Sequence, residues 1–158
     1  MPQLSLHSPI GDLTISEDDD AIVSVDWGWG RDQTASELLK RAVDELNEYF
    51  DGTREAFDLA LNPYGTGFDK KVWREMLRIP YGEVLTYGDV AKRLDAPARA
   101  VGTACGRNPI PVIIPCHRIV ASNGLGGYSG DGGVETKLAL LGLEGNPLGQ
   151  TLFTGMQT

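Results

Sequence analysis

Cysteine and histidine are scarce in this chain: Cys105, Cys116, His7 and His117 are all there is of either. A structural zinc ion wants four ligands at paired spacing, and two Cys with two His supply no such set, so no metal and no cofactor are expected. Long apolar runs are missing as well. None approaches the roughly 20 residues of a membrane span, which argues against a membrane partner. The start, "MPQLSLHSPIGDL", has neither the basic opening nor the unbroken apolar core of a signal peptide. The expected location is therefore the cytoplasm, where thiols stay reduced, and the two cysteines read as free rather than bridged. Repeats and low-complexity tracts are absent too.

What is present describes a globular protein. Of the 158 residues 41% are hydrophobic and 23% charged, enough for one good core or two small ones. The net charge of −8 argues at first against a nucleic-acid partner, whose phosphates would be neutralised by Lys and Arg. The distribution of charge along the chain points the other way. Residues 1–65 carry 14 acidic and 4 basic side chains, whereas residues 66–158 carry 8 acidic and 10 basic. The acid belongs to the first part, where it can simply solvate a surface.

Along the chain, "LSLHS", "DLTIS" and "AIVSVDW" alternate apolar and polar residues and predict an antiparallel meander. In "TASELLKRAVDELNEYFDG", Leu39, Val43, Leu46 and Phe50 recur at helical spacing, Thr34 and Glu37 suggest a capping box, and Gly52 supplies the stop. "EAFDLAL" reads as a short strand, and "NPYGTG" is the best linker. Beyond it, Phe68, Val72, Met76 and Ile79 form one stripe of a helix. Thr86 caps another short helix, "DAP" breaks it, and Pro97 opens a second, which together predict a helix-turn-helix. The small residues Ala98, Ala100, Gly102, Ala104 and Gly106 would let that second helix approach a flat partner closely. "VIIPCHRIV" is expected to run extended, "SNGLGGYSGDGG" to loop, and "VETKLALLGLEG" to close as a helix before Gly145.

Cys116 and His117 stand side by side after a proline. Neighbours in an extended strand point apart, so direct papain-like pairing is disfavoured. A water between them would let the imidazole act on the thiol, with a carboxylate holding the ring from behind. The plain alternative is an inert buried cysteine beside a satisfied histidine.

The runs "IPYGEVLTYGDVAKRL", "ARAVGTACGRNP", "IPCHRIV", "GGYSG" and "LLGLEG", in this order, resemble the methylated-DNA–protein-cysteine methyltransferases, or O6-alkylguanine-DNA alkyltransferases, over about residues 66–147. The first part is similar to that family's ribonuclease-H-like domain in layout only. The resemblance implies an α+β protein. Residues 1–62 would be a ribonuclease-H-like antiparallel sheet plus helix and 63–67 a linker. Residues 68–158 would be a mostly helical, winged helix-turn-helix-like domain carrying the site.

The same resemblance implies the function: a monomer that binds double-stranded DNA containing O6-alkylguanine, flips the base out, and takes its alkyl group irreversibly and once. O4-alkylthymine would be a second substrate. Cys116 would be the acceptor, His117 the water-mediated base and Glu144 the carboxylate orienting it. Tyr87 would donate a proton to the guanine ring, Asn108 would tie the recognition helix to the active-site segment, and Ser129 would bind the oxygen. Tyr128 would wall the pocket, and the carbonyls of Cys116 and Ile119 would accept from the guanine amino group. Arg99 would fill the gap in the base stack, on a DNA-facing helix with Ala98, Ala100 and Gly102. The competing readings are a non-catalytic binder of alkylated bases and a cysteine hydrolase. The excess of Asp over Glu, 13 to 9, and of Arg over Lys, 9 to 5, resembles proteins that work at high salt.

Overall fold

The computed structural model describes residues 1–149, so the expected end of the second domain at residue 158 lies outside the described residues. Contacts divide the chain into two compact units, Met1–Tyr64 with Pro109–Ile113, and Gly65–Asn108 with the chain from Ile114 onward. The segment Pro109–Ile113, counted with the second part in a linear division, thus joins the first unit, where Pro109 O accepts from Val25 N–H at 2.9 Å. Within it Val112 holds φ 72, a left-handed conformation that costs a β-branched residue dearly.

In the first unit β1 (Gln3–Leu6), β2 (Leu13–Asp18) and β3 (Ala21–Trp27) form an antiparallel sheet in that order. The β2–β3 turn is Asp19–Asp20, with φ 50 and 62, a conformation that Asp tolerates better than most residues. Helix α1 (Glu37–Phe50) covers the sheet, and Leu13, Ile15, Ile22, Leu39, Leu46 and Tyr49 are fully buried. The sheet's polar side is sealed by hydrogen bonds: Ser5 and Thr14 share one at 2.8 Å, and Gly30 N–H donates to Thr14 Oγ1 at 2.9 Å.

Three local expectations need correction here. The cap of α1 is Ser36, whose hydroxyl accepts from Leu39 N–H at 3.1 Å, rather than Thr34. The buried face is Leu39, Ala42, Leu46 and Tyr49, with Val43 and Phe50 only half-buried, because the apolar stripe follows the sheet rather than the most hydrophobic letters. "EAFDLAL" forms no strand; a single parallel bridge joins Leu61 to Ile22.

In the second unit α2 (Gly67–Leu77) starts on a capping box of Thr66 and Asp69, and α3 (Tyr87–Leu94) on one of Thr86 and Asp89. Asp95 ends α3 at φ 51, and α4 (Ala98–Gly106) begins after Pro97, so that α3 and α4 pack as a helix-turn-helix. Trp73 of α2 is buried and donates from Nε1 to Ala104 O at 2.9 Å, fastening α2 to α4. The expected nine-residue strand is a further correction. The chain turns before Pro115, Cys116–Arg118 form one 3₁₀ turn, and only β5 (Ile119–Val120) is extended, pairing in parallel with β4 (Leu85–Thr86). Helix α5 (Val134–Leu143) follows, and Gly145 at φ 77 terminates it. Among the described residues no helix is long and apolar enough to cross a membrane.

Candidate active site

The 3₁₀ turn decides where the Cys–His pair points. Pro115 cannot continue a strand ladder, and Cys116 N–H and Arg118 N–H turn back onto Ile114 O at 2.8 Å and Pro115 O at 3.0 Å. Cys116 then lines a cavity of about 320 Å³ with Tyr87 of α3, Gly102, Cys105 and Gly106 of α4, and the loop residues Gly127, Tyr128 and Ser129. His117 is fully buried and does not line it.

Glu144, at the end of α5, binds His117 Nε2 through Oε2 at 2.7 Å. Burial holds the imidazole below its usual pKa, against the opposing pull of Glu144, so the ring is neutral. The carboxylate partner then assigns the proton to Nε2 and leaves Nδ1 a buried acceptor with no partner among the described residues. Glu144 accepts further from Arg118 Nε at 2.9 Å, Arg118 Nη2 at 3.0 Å and Gly82 N–H at 3.1 Å. Burial alone would raise its carboxyl, but the hydrogen bonds from His117 and Arg118 and the Arg118 charge carry it well below the ordinary range.

The two thiols differ in their surroundings. Burial pushes both up, Cys105 to about 12. At Cys116 a hydrogen bond from Asn108 opposes that rise, as does the charge of Lys137, whereas Cys105 has no such bond from Asn108. Asn108 also donates from Nδ2 to Ile114 O at 2.9 Å, binding the end of α4 to the residues before Cys116. The Tyr128 hydroxyl lies near enough to favour the thiolate, yet its buried Oη makes no hydrogen bond of ordinary geometry. Burial raises the pKa of both Tyr87 and Tyr128, so both keep their protons. Gly126 is needed for closure: its φ is +75, and a Cβ there would meet Tyr87 Oη at 3.3 Å and Ala121 N at 3.2 Å.

Of the residues singled out in the sequence, Cys116, Tyr87, Tyr128, Ser129 and Gly102 meet around one cavity, with His117 and Glu144 paired outside its lining. Ala98, Arg99 and Gly102 line a more open concavity of about 520 Å³ with Tyr87 and Thr103; Ala100 does not. Ile119 lines neither, and its carbonyl accepts from Lys137 Nζ at 2.6 Å.

Two ionic residues escaped sequence reasoning. Arg118 is buried, forks onto Glu144 and donates to Ile79 O at 2.7 Å. Lys137 is buried too, bridging Ile119 O and Gly127 O, and burial lowers it to about 8. For Lys137 the available signal was the one cation of "VETKLALL", directly before an apolar run, since a buried cation needs partners. Among the described residues no three His, Cys, Asp or Glu side chains are placed to hold a metal ion.

A helix-turn-helix carrying a cavity-facing thiol, with a buried Glu–His pair beside it, is an arrangement that can serve cysteine chemistry on a scaffold of the kind that binds nucleic acid. Comparison with known proteins makes this particular. Residues 67–146 match the family model "6-O-methylguanine DNA methyltransferase, DNA binding domain", and residues 4–63 match the "6-O-methylguanine DNA methyltransferase, ribonuclease-like domain". The methylated-DNA–protein-cysteine methyltransferase of Mycobacterium tuberculosis is 41% identical over 94% of this chain and 96% of its own. The constitutive one of Bacillus subtilis is 39% identical over 87% and 92%. The crystal structure of Mycobacterium tuberculosis OGT in complex with DNA superposes with a TM-score of 0.83 at 40% identity, covering 97% of this chain and 99% of that one. The chain belongs to the 6-O-methylguanine DNA methyltransferase family.

Proposed function

We propose that this protein repairs double-stranded DNA by moving the alkyl group of O6-alkylguanine onto the thiol of Cys116, once per chain. The observation that carries the reading is the setting of Cys116: a cavity-facing thiol beside a fully buried His117 whose Nδ1 is free to accept and whose Nε2 is held by Glu144. In the resting state burial keeps the thiol protonated. Its proton passes through a water to His117 Nδ1, and the imidazolium so formed is stabilised by Glu144, itself kept anionic by Arg118. The thiolate attacks the alkyl carbon; the S–C bond forms as the C–O bond to guanine breaks. Charge developing on the leaving base is met by a proton from Tyr87 and by donors near Ser129. The thioether has no leaving group that water displaces, so the chain is spent.

The helix-turn-helix supports DNA as the partner, and the base reaches the cavity only if flipped from the stack. Arg99, exposed on the open side of α4 beside Tyr87, is suited to hold the vacated place. The Cys116 and Ile119 carbonyls would then read the guanine amino group. Ala98, Ala100 and Gly102 keep the helix slim against the groove. O4-alkylthymine presents the same alkyl–oxygen bond to the thiol. We read the protein as a monomer working in the cytoplasm, where its acceptor stays reduced.

Intact mass of the protein after mixing with duplex DNA containing O6-methylguanine tests the reading. It expects one methyl per chain, mapped to Cys116, and no further turnover. An unchanged mass would leave a lesion binder, and repeated turnover on an ester would leave a hydrolase.

A further inference from the structure

We infer that Cys105 sets the size of alkyl group this protein accepts. The inference rests on the transfer reading above, since it concerns the cavity into which the alkyl group is delivered. One wall of that cavity is the loop around Tyr128 and Ser129; the other is a single face of α4, where Gly102, Cys105 and Gly106 fall at helical spacing.

That wall is more open than the packing of the protein requires. A Cβ at Gly102 would meet only Tyr87 ring carbons at 3.9 and 4.0 Å, which is ordinary contact, and a Cβ at Gly106 would meet nothing within 4 Å. A glycine inside a helix costs about 0.5–1 kcal/mol relative to alanine. No contact in the protein repays Gly102, and the space it leaves opens into the cavity. Between the two glycines, Cys105 is the sole residue of this wall with a side chain. A group carried on Cys116 Sγ and longer than methyl therefore shares its space with Cys105.

The Cys105 thiol does not compete for the alkyl group. Burial holds it protonated, at about 12, and Asn108 supports Cys116. It behaves as a small apolar wall, and its volume is what matters.

The experiment compares rates of transfer from O6-methylguanine and O6-benzylguanine in duplex DNA for the unaltered protein, Cys105→Val and Cys105→Leu, with thermal melting of each. One methylene of room in an apolar pocket is worth about 10–200-fold in selectivity, so Cys105→Leu should lower the benzyl-to-methyl ratio about tenfold or more, and Cys105→Val should lower it less. Should Cys105→Leu fail to fold, Cys105→Val decides. Ratios equal to that of the unaltered protein in the folded variants would overturn the inference, as would alkyl groups mapped to Cys105. If the unaltered protein accepts neither group, it is the transfer reading that fails.

Discussion

The first unit carries fourteen acidic side chains and keeps only Glu17 and Glu45 buried, while the second takes His117, Arg118, Lys137 and Glu144 out of water. Exposed carboxylates cost nothing to maintain and contribute little to the fold; they set the unit's field. Buried charge is expensive unless paired and hydrogen-bonded, and here each such group has partners: Glu144 with His117, Arg118 and Gly82, and Lys137 with two carbonyls. The comparison teaches that total charge says little about where a protein works. Desolvated charge, held in a network beside a cavity-facing thiol, says much more.

The contrast breaks most completely at Cys116. Cys116→Ser should abolish transfer while leaving affinity for duplex DNA unchanged, because a hydroxyl of much higher pKa cannot supply the anion. Intact mass and a binding titration read the two arms, and retained transfer would sink the mechanism.

Next in size is Glu144→Gln, which leaves Arg118 buried without its anion. Removing one member of such a pair costs about 3–5 kcal/mol. The carboxyl's pKa in the folded state lies far below its unfolded value of about 4.3, so its stabilisation is complete above that pH, declines steadily beneath it and is gone only once pH passes the folded-state value. The gap in melting temperature between the two proteins should therefore be widest at about pH 6 and narrow steadily as pH falls below about 4. A constant gap would show that ionisation of Glu144 is not what stabilises.

A smaller effect separates the open side of α4 from the chemistry. Arg99→Ala should slow repair of duplex DNA about tenfold, roughly 1.4 kcal/mol, yet leave reaction with free O6-benzylguanine unchanged, since a free base has no stack to hold open. Equal losses on both substrates would make Arg99 a support of the fold. The smallest effect belongs to the first unit. Ser36→Ala removes the cap of α1 at a cost of about 1 kcal/mol. Transfer at a temperature where the variant is folded should not change.

The helix-turn-helix was legible because its signals are local: Thr86 with Asp89, the break at Asp95–Pro97 and the small residues of α4 lie within one short window. Where two local signals compete, pattern alone misleads. Thr34 and Ser36 both stand before α1, and it is the Ser36 hydroxyl that meets Leu39 N–H. The run 112–120 looked like a strand from its β-branched residues. Val112 in a left-handed conformation and Pro115 before a 3₁₀ turn replace it, and the turn carries Cys116 to the cavity.

By itself the sequence determined the order of the motifs, the Cys116–His117 pair and the acidic–basic division, since each is a matter of which residues stand near one another along the chain. It takes the folded chain to bring Glu144, 27 residues on, onto His117 Nε2, to turn Arg118 inward to hold it, and to put Cys105 in one cavity with Cys116. Such choices follow from burial, which compares a side chain's water with the partners the whole fold brings to it, and no window of neighbouring residues contains that comparison.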